Sequence, residues 1–390
     1  MRILAIETSC DETALALVEA TNPSTGSGSE KSLPKFKVLR EAVASQIKIH
    51  RPFGGVVPML AKREHLKNLP ILYRQIFGEG HIAYSKKQMA GDKGHIECGK
   101  KIKSHKLLAI SQVDLIAVTV GPGLEPALWA GITFAQELAK KYKKLLLGVN
   151  HLEGHLYSFL LPPTTYHLRP TDIFPAIALI VSGGHTLLLR MDDLKSWKKL
   201  GETRDDAVGE AFDKVARLLS LPYPGGPEIE KLAATVPKSW SDHINFPRPM
   251  FNTKDYDFSF SGLKTSVLYY LRDHPFDKLP SIRLGTGRAG KERAKVAKAF
   301  SNAAIDVLVR KTMRAARETG ARSILLSGGV AANKSLRQTF QKEAKKLGVN
   351  FLVAEQKYNT DNAVMIAAAG YMQTLRKKKR KLEAKGDLGI

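Results

Sequence analysis

The chain has 390 residues, 43% of them hydrophobic and 25% charged, the composition of a soluble globular protein with a large core rather than of a disordered one. No run of about 18 apolar residues occurs, and the opening "MRILAIETSC" reads as a strand, so neither a membrane span nor a secretion signal is expected. Lysine plus arginine total 61 against 37 acidic residues, a net charge of +24. Such a charge draws in polyanions over long distances, so nucleic acid is the leading partner class, with plain solubility or a basic-biased compartment as the alternative. Two cysteines, Cys10 and Cys98, are too few for a disulfide framework and fit a reducing intracellular compartment.

In chain order, "RILAIE" (2–7), "TALALVE" (13–19) and "VLREAVAS" (38–45) are predicted strands, with the turn "TSCDE" between the first two. A helix is predicted from Pro58 to Phe77, then the strand "LIAVTV", a helix from Pro126 to Tyr142, the strand "LLLGV" and a histidine-bearing segment. The order then repeats. Strands "AIALIV", "TLLLR" and one near "KKLGET" precede the helix "VGEAFDKVARLLS". A longer helix follows with Val296, Phe300, Ala304 and Val307 at helical spacing, then "SILLS", a helix from Asn333 to Leu347, "FLVAE" and a last helix. Two βββαβα lobes are expected, each a sheet covered by helices, over residues 1–165 and 166–390.

Residues 21–37 and 79–106 are rich in Gly, Ser and Lys and read as mobile surface insertions. The second carries His81, His95, His105 and Cys98, a scatter more often inert than metal-binding. The tail "RKKKRKLEAK" reads as a solvated helix end, with RNA contact as the lesser alternative.

Chemistry concentrates first in "GVNHLEGHLYSFL". His151 and His155 at i and i+4 lie about 40° apart around a helix and can share one borderline metal ion. Glu153 at i+2 lies roughly 200° from His151, on the wrong face for an HExxH-type protease. A bare HxxxH is more often the mark of two structural core histidines. Asp361 in "TDNAVMIA" is either a helix cap or the carboxylate that a two-histidine site lacks.

The glycine turns "IVSGGHT" and "LLSGGVAAN" both end apolar strands, where backbone N–H groups can approach a phosphate unobstructed. Ser182, Gly183 and Gly184 form the first turn. Singly each is an ordinary strand exit; together they suggest a nucleotide cleft. Asp213 is either a ribose acceptor or a surface acid paired with Lys214 or Arg217. Gly225, Gly226 and Glu230 mark a turn into a helix, and Asn333 reads equally well as an N-cap. Asp11 and Glu12 share the first turn, where paired acids are ordinarily solvated.

The blocks "ILAIETSCDETALALV", "FGGVVPMLAKREHL", "NHLEGH", "LIVSGGHT", "GEAFDKVARLL", "YPGGPEIE", "FSFSGLKT", "SGGVAAN" and "TDNAVMIA" together resemble the universal tRNA threonylcarbamoyltransferases of the bacterial and mitochondrial type, once classed as glycoproteases. The resemblance implies a duplicated α/β fold of the actin-like, Hsp70-like kind. It further implies transfer of threonylcarbamoyl from threonylcarbamoyl-AMP, made by a separate synthase, to N6 of the adenosine 3′ to the anticodon in tRNAs reading codons that begin with A.

By the same resemblance His151, His155 and Asp361 hold one divalent ion, zinc or iron. Ile180, Val181, Ser182, Gly183, Gly184, Asp213, Gly226, Glu230, Ala332 and Asn333 hold the adenylate donor, and Asp11 and Glu12 are candidates for the proton acceptor. A homodimer is implied, without a membrane partner. Mitochondrial relatives carry a targeting extension, whereas this sequence opens on its first strand; the expected compartment is the mitochondrial matrix, or the cytoplasm if no leader precedes it. The rival readings are an actin-like ATPase or kinase, a metalloprotease and a non-catalytic RNA-binding protein. Histidine ligands weigh against the first, because magnesium at ATP prefers oxygen donors.

Overall fold

The computed structural model describes residues 1–21, 32–78, 109–162, 168–237, 244–275 and 287–390. The expectations for 79–106, including His81, His95, Cys98 and His105, lie outside the described residues, as does the middle of the first expected insertion. The chain divides into two units, one of Met1–Ile49, Val56–Tyr166 and Asp361–Ile390, the other of His50–Gly55 and His167–Thr360.

The first unit is built on β1 (Arg2–Glu7), β2 (Glu12–Thr21), β3 (Lys35–Ser45), β4 (Leu115–Gly121) and β5 (Leu145–Asn150), in the order β3-β2-β1-β4-β5. β1 lies at the centre, antiparallel to β2 and parallel to β4. Both are near-continuous apolar runs, as strands covered on two faces must be. Side chains alternate between faces. Leu4 and Ile6 of β1 and Ile116, Val118 and Val120 of β4 share a core with Leu69 and Leu72 of α2 (Pro58–Phe77) and Leu128 and Ile132 of α3 (Glu125–Tyr142). By that alternation Glu7 and Thr119 belong to the other face.

That other face meets α11 (Ala363–Leu375), in which every residue from Ala363 to Gln373 is buried. A helix apolar on all sides has to be enclosed, and Gly370 seats it against Ala117 and Val149. Two short helices complete the set, α1 (Ile47–His50) and α4 (His151–Tyr157), the latter following β5 directly.

In the second unit β6 (Ala176–Val181), β7 (Thr186–Met191), β8 (Trp197–Glu202), β9 (Ser323–Ser327) and β10 (Asn350–Val353) run in the order β10-β9-β6-β7-β8. The first strand again has the second antiparallel on one side and the fourth parallel on the other. The duplicated α/β architecture expected from the sequence is the observed one. Its helices are α5 (Pro170–Ile173), α6 (Val208–Leu218), α7 (Gly225–Ala233), α8 (Ser261–Asp273), α9 (Gly287–Glu318) and α10 (Lys334–Leu347). α6 buries Val208, Ala211, Phe212, Val215 and Ala216, a single stripe at i, i+3, i+4, i+7 and i+8. Val296, Phe300, Ala304 and Val307 of α9 are buried, as their spacing predicts.

Three expectations differ from the structure. The boundary near residue 165 is not a single cut, because α11 returns to the first unit, where sheet and helix bury each other's apolar faces. The expected insertion at 21–37 is partly strand, since Thr21 pairs with Lys35 and Ala20 with Phe36, and Phe36 is buried. The basic tail is not a solvated helix end. α11 stops at Leu375, and the segment beyond folds back so that Arg376 and Arg380 meet a buried acid of α4. Among the described residues no helix is long and apolar enough to cross a membrane.

Candidate functional site

Asn150 ends β5 and caps α4, its Oδ1 accepting from the N–H groups of Leu152 (2.8 Å) and Glu153 (3.2 Å). That cap starts the helix at His151 and puts His155 one turn on. The two rings are 4.7 Å apart between centroids and nearly perpendicular, at 87°. Asp361 comes from far along the chain. It is not the cap of α11, a role taken by Asn362, whose side chain accepts from Met365 N. Its Oδ1 lies 3.4 Å from His151 Nε2 and 3.2 Å from His155 Nε2.

Whether these residues suit an ion is testable on their unused atoms and their charge. One donor atom from each of the three lies within 4.8 Å of the others. Among the described residues His155 Nδ1 has no hydrogen-bond partner, and its Nε2 has only Asp361 beside it; a buried imidazole lone pair is costly to leave unmatched. Two imidazoles and a carboxylate are the donors of zinc or non-haem iron sites with open positions. Asp361 keeps 22% of its side-chain exposure, so a ligand can approach from its side.

Glu7 is the residue that sequence reasoning missed. Fully buried, it lies 3.2 Å from His151 Nδ1 through Oε2 and accepts from Thr119 Oγ1 (2.5 Å) and Ser9 N (2.5 Å). Ser9 Oγ is also 3.2 Å from His151 Nδ1. A carboxylate on the far nitrogen of a ligand histidine fixes which nitrogen faces the ion. The available signal was a lone charge closing the apolar strand "RILAIE". Glu7 and Asp361 together carry two negative charges, which a divalent ion balances with both imidazoles neutral.

Without an ion the charges settle on one another. Burial by itself would lower the His151 imidazole, but the Asp361 and Glu7 carboxylates hold it well above the usual histidine range. His155 is pulled down by burial. Burial would raise the Asp361 carboxyl; His151, then His155, hold it far below the ordinary range instead.

Asp11 and Glu12 are not the solvated turn acids their position suggests. Asp11 is 7% exposed, Glu12 opens β2, and Ser45 Oγ donates to Glu12 across the hairpin. Burial, then the charges of Asp11 and Asp361, push the Glu12 carboxyl well above its usual value. Glu153 is fully buried and occupied by Arg376, Lys378 and Arg380. The protease reading fails there, since this carboxylate serves a salt-bridge cluster.

In the second unit the two glycine turns leave neighbouring parallel strands, with Ile180 paired to Ser327. Ser182 N donates to His185 O (2.8 Å), which tightens the first turn. Four further approaches close a ring around these strand ends. Gly328, at φ +93°, lies against Val181 O, and a Cβ on Gly209 of α6 would fall 2.5 Å from Ser182 O. Asp213 Oδ1 accepts from Gly225 N at the start of α7 (2.7 Å), and Glu230 Oε1 accepts from Lys334 N at the start of α10 (2.7 Å).

Of its two expected surface partners, Lys214 pairs with Asp206 and Glu210, while Arg217 Nη2 donates to Gly54 O. Asn333 is an N-cap, accepting from Leu336 N (2.9 Å), and Ala332 ends the short turn before it. Gly183, Gly184 and Gly226 face open space, with nothing among the described residues within 4 Å of an added Cβ. The ring thus joins Val181, Ser182, Asp213, Glu230 and Asn333 and, among the described residues, leaves those three glycines uncovered.

The sequence matches the family described as tRNA N6-adenosine threonylcarbamoyltransferase over residues 37–88 and 97–368. A curated relative of that name from Thermosipho africanus is 42% identical over 95% of this chain and 94% of its own. Another, from Bacillus subtilis, is 40% identical over 95% of this chain and 90% of its own. Among solved structures, full-length HypF in its phosphate- and nucleotide-bound form superposes with a TM-score of 0.53 at 11% identity. It covers 97% of this chain and 56% of that one, a likeness of fold alone. On its family match and these relatives, the chain belongs to the tRNA N6-adenosine threonylcarbamoyltransferase family.

Proposed function

We propose that the chain transfers the threonylcarbamoyl group of threonylcarbamoyl-AMP, supplied by a separate synthase, to N6 of the adenosine 3′ to the anticodon in tRNAs reading codons that begin with A. The observation that carries the metal-dependent form of this reading is the meeting of His151, His155 and Asp361, with one donor atom of each within 4.8 Å of the others. A kinase or ATPase would instead require oxygen donors for magnesium.

The donor is a mixed carbamic–phosphoric anhydride and is already activated, so the protein's tasks are alignment and stabilisation of the departing charge. The Gly183 and Gly184 amides, open to approach, are assigned to the phosphate. Asp213 and Glu230, each fixed by a backbone N–H, are assigned to the ribose, while Ile180, Val181, Gly226, Ala332 and Asn333 line the nucleoside. N6 attacks the carbamoyl carbon, the bond from that carbon to the phosphate oxygen breaks, and AMP leaves with the electron pair. Asp11 or Glu12 takes the N6 proton. His151, His155 and Asp361 would hold one zinc or iron ion, which when bound supplies Lewis-acid polarisation of an oxygen ligand. In this reading the working form is a homodimer.

The test is reconstitution with an upstream synthase, threonine, bicarbonate, ATP and unmodified tRNA, followed by mass spectrometry of the nucleosides. Threonylcarbamoyladenosine is expected only when the chain is present; its absence with an active synthase overturns the reading.

A further inference from the structure

Glu153 lies between two candidate ligands in sequence, yet its side chain is fully buried and turned to a different set of partners. Arg376 pairs with its Oε2, and Arg380 Nη2 is 2.6 Å from its Oε1. The two arginine side chains are themselves only 9% and 14% exposed. A buried acid held by buried guanidinium groups is a poor source of net stability compared with apolar packing, so what it contributes is geometry.

The geometry concerns α4 and α11. Asp361 precedes α11 and faces His151 and His155, while Arg376 follows α11 and holds Glu153, so both ends of one helix are fastened to α4. Between those points the helices cross at Gly154, where a Cβ would come within 3.0 Å of Met365 and 3.1 Å of Ile366.

The segment beyond Arg380 adds a second fastening. Lys385 N donates to Val120 O (2.9 Å), and Gly123 N donates to Gly386 O (3.2 Å). Asn150, the cap of α4, donates through Nδ2 to Gly389 O (2.8 Å).

We propose that Glu153 is a positioning residue for the metal centre. With Arg376 and Arg380 it forms a clasp that sets α11 against α4 and so places Asp361 relative to the two histidines. The proposal rests on the metal-binding reading above.

Cobalt(II), followed by its visible absorption and by competition with a chromophoric chelator, separates the two ideas. Full-length wild type, Glu153→Gln, Arg380→Gln and Arg380→Lys are compared well below their melting temperatures. Phe340→Leu, in the buried core of the second unit, serves as a destabilised control. The expected result is roughly tenfold weaker cobalt binding in Glu153→Gln and Arg380→Gln, as for other residues that orient ligands. Arg380→Lys should recover most of the loss, and Phe340→Leu should match wild type. If Glu153→Gln does not fold, the two Arg380 variants decide. Folded variants that bind cobalt as wild type does overturn the clasp, as does an equal loss in Phe340→Leu. Wild type that binds no cobalt overturns the metal reading, and the clasp with it.

Discussion

His155 Nε2 lies 3.2 Å from Asp361 Oδ1, and His155 Nδ1 has no hydrogen-bond partner among the described residues. Two ligand atoms of one ion lie at such a separation. Asp361→Asn keeps the shape and removes one of the two negative charges beside the histidines. The expected loss in zinc affinity is at least about 100-fold, the upper end of what orienting residues alone contribute. Metal analysis after dialysis against a chelator checks this; one ion per chain retained in the variant would remove Asp361 from the ligand set.

Glu7 tests the layer behind the ligands. Glu7→Gln retains an acceptor for Ser9 N or Thr119 Oγ1 but loses the charge beside His151. Zinc affinity should fall about 10–100-fold with the circular dichroism spectrum preserved. Unchanged affinity in a folded variant would make Glu7 a matter of core hydrogen bonding only.

The net charge of +24 implies that tRNA docking is largely electrostatic. Affinity for unmodified tRNA, measured by filter binding, should fall by at least about tenfold as salt rises from about 50 to about 200 mM. A flat salt response would argue against a basic docking face.

Asp205 supplies a pH test independent of the metal. Its carboxylate accepts from Ser259 Oγ (2.6 Å), Phe260 N (2.8 Å), Ser261 N (3.2 Å) and Ser261 Oγ (2.6 Å), serving as a distant cap for α8. Burial opposes ionisation, but these donors outweigh it and lower the carboxyl below its ordinary value. The folded value is thus below the unfolded one, near 3.9. The stabilisation is present above about pH 4 and disappears as pH falls through the folded value. Because Asp205 is exposed, the effect is discounted to on the order of 1 kcal/mol or less. The melting temperature of wild type should exceed that of Asp205→Asn at pH 6, with the gap closing toward pH 3. A gap that widens on acidification would reverse the assignment.

What could be read along the chain was what repeats locally. The apolar stripe of α9 and the limits of α2 follow from side-chain periodicity and match the structure. The HxxxH spacing told of a shared face, and the i+2 position of Glu153 told that it points elsewhere, but not to what. A charge run has the same pattern whether it is solvated or closes on one buried acid, so the partnership of Arg376 and Arg380 with Glu153 was out of reach. Glu7 was hidden for a related reason: its meaning depends on which sheet face α4 and α11 cover, a tertiary fact. Asp361 was ambiguous until Asn362 proved to be the cap.

The last prediction separates a glycine that serves the fold from one that serves a ligand. Gly209 touches backbone, since an added Cβ would meet Ser182 O at 2.5 Å and Ser182 C at 2.8 Å, so either α6 or the turn must move. Gly209→Ala should lower stability by about 1–3 kcal/mol, the range for overpacking, and weaken AMP binding because the turn is displaced. An added Cβ on Gly183 meets nothing within 4 Å among the described residues, so Gly183→Ala should change stability by no more than about 0.5 kcal/mol. If the turn cradles a phosphate, the new methyl still obstructs the approach to its amides. AMP affinity by calorimetry should then fall about tenfold, which corresponds to about 1.4 kcal/mol. Chemical denaturation and calorimetry on the two variants give different pairs of numbers, destabilised and weakened for Gly209→Ala, stable and weakened for Gly183→Ala. Wild-type AMP affinity in Gly183→Ala would mean that the first glycine turn is only a strand exit.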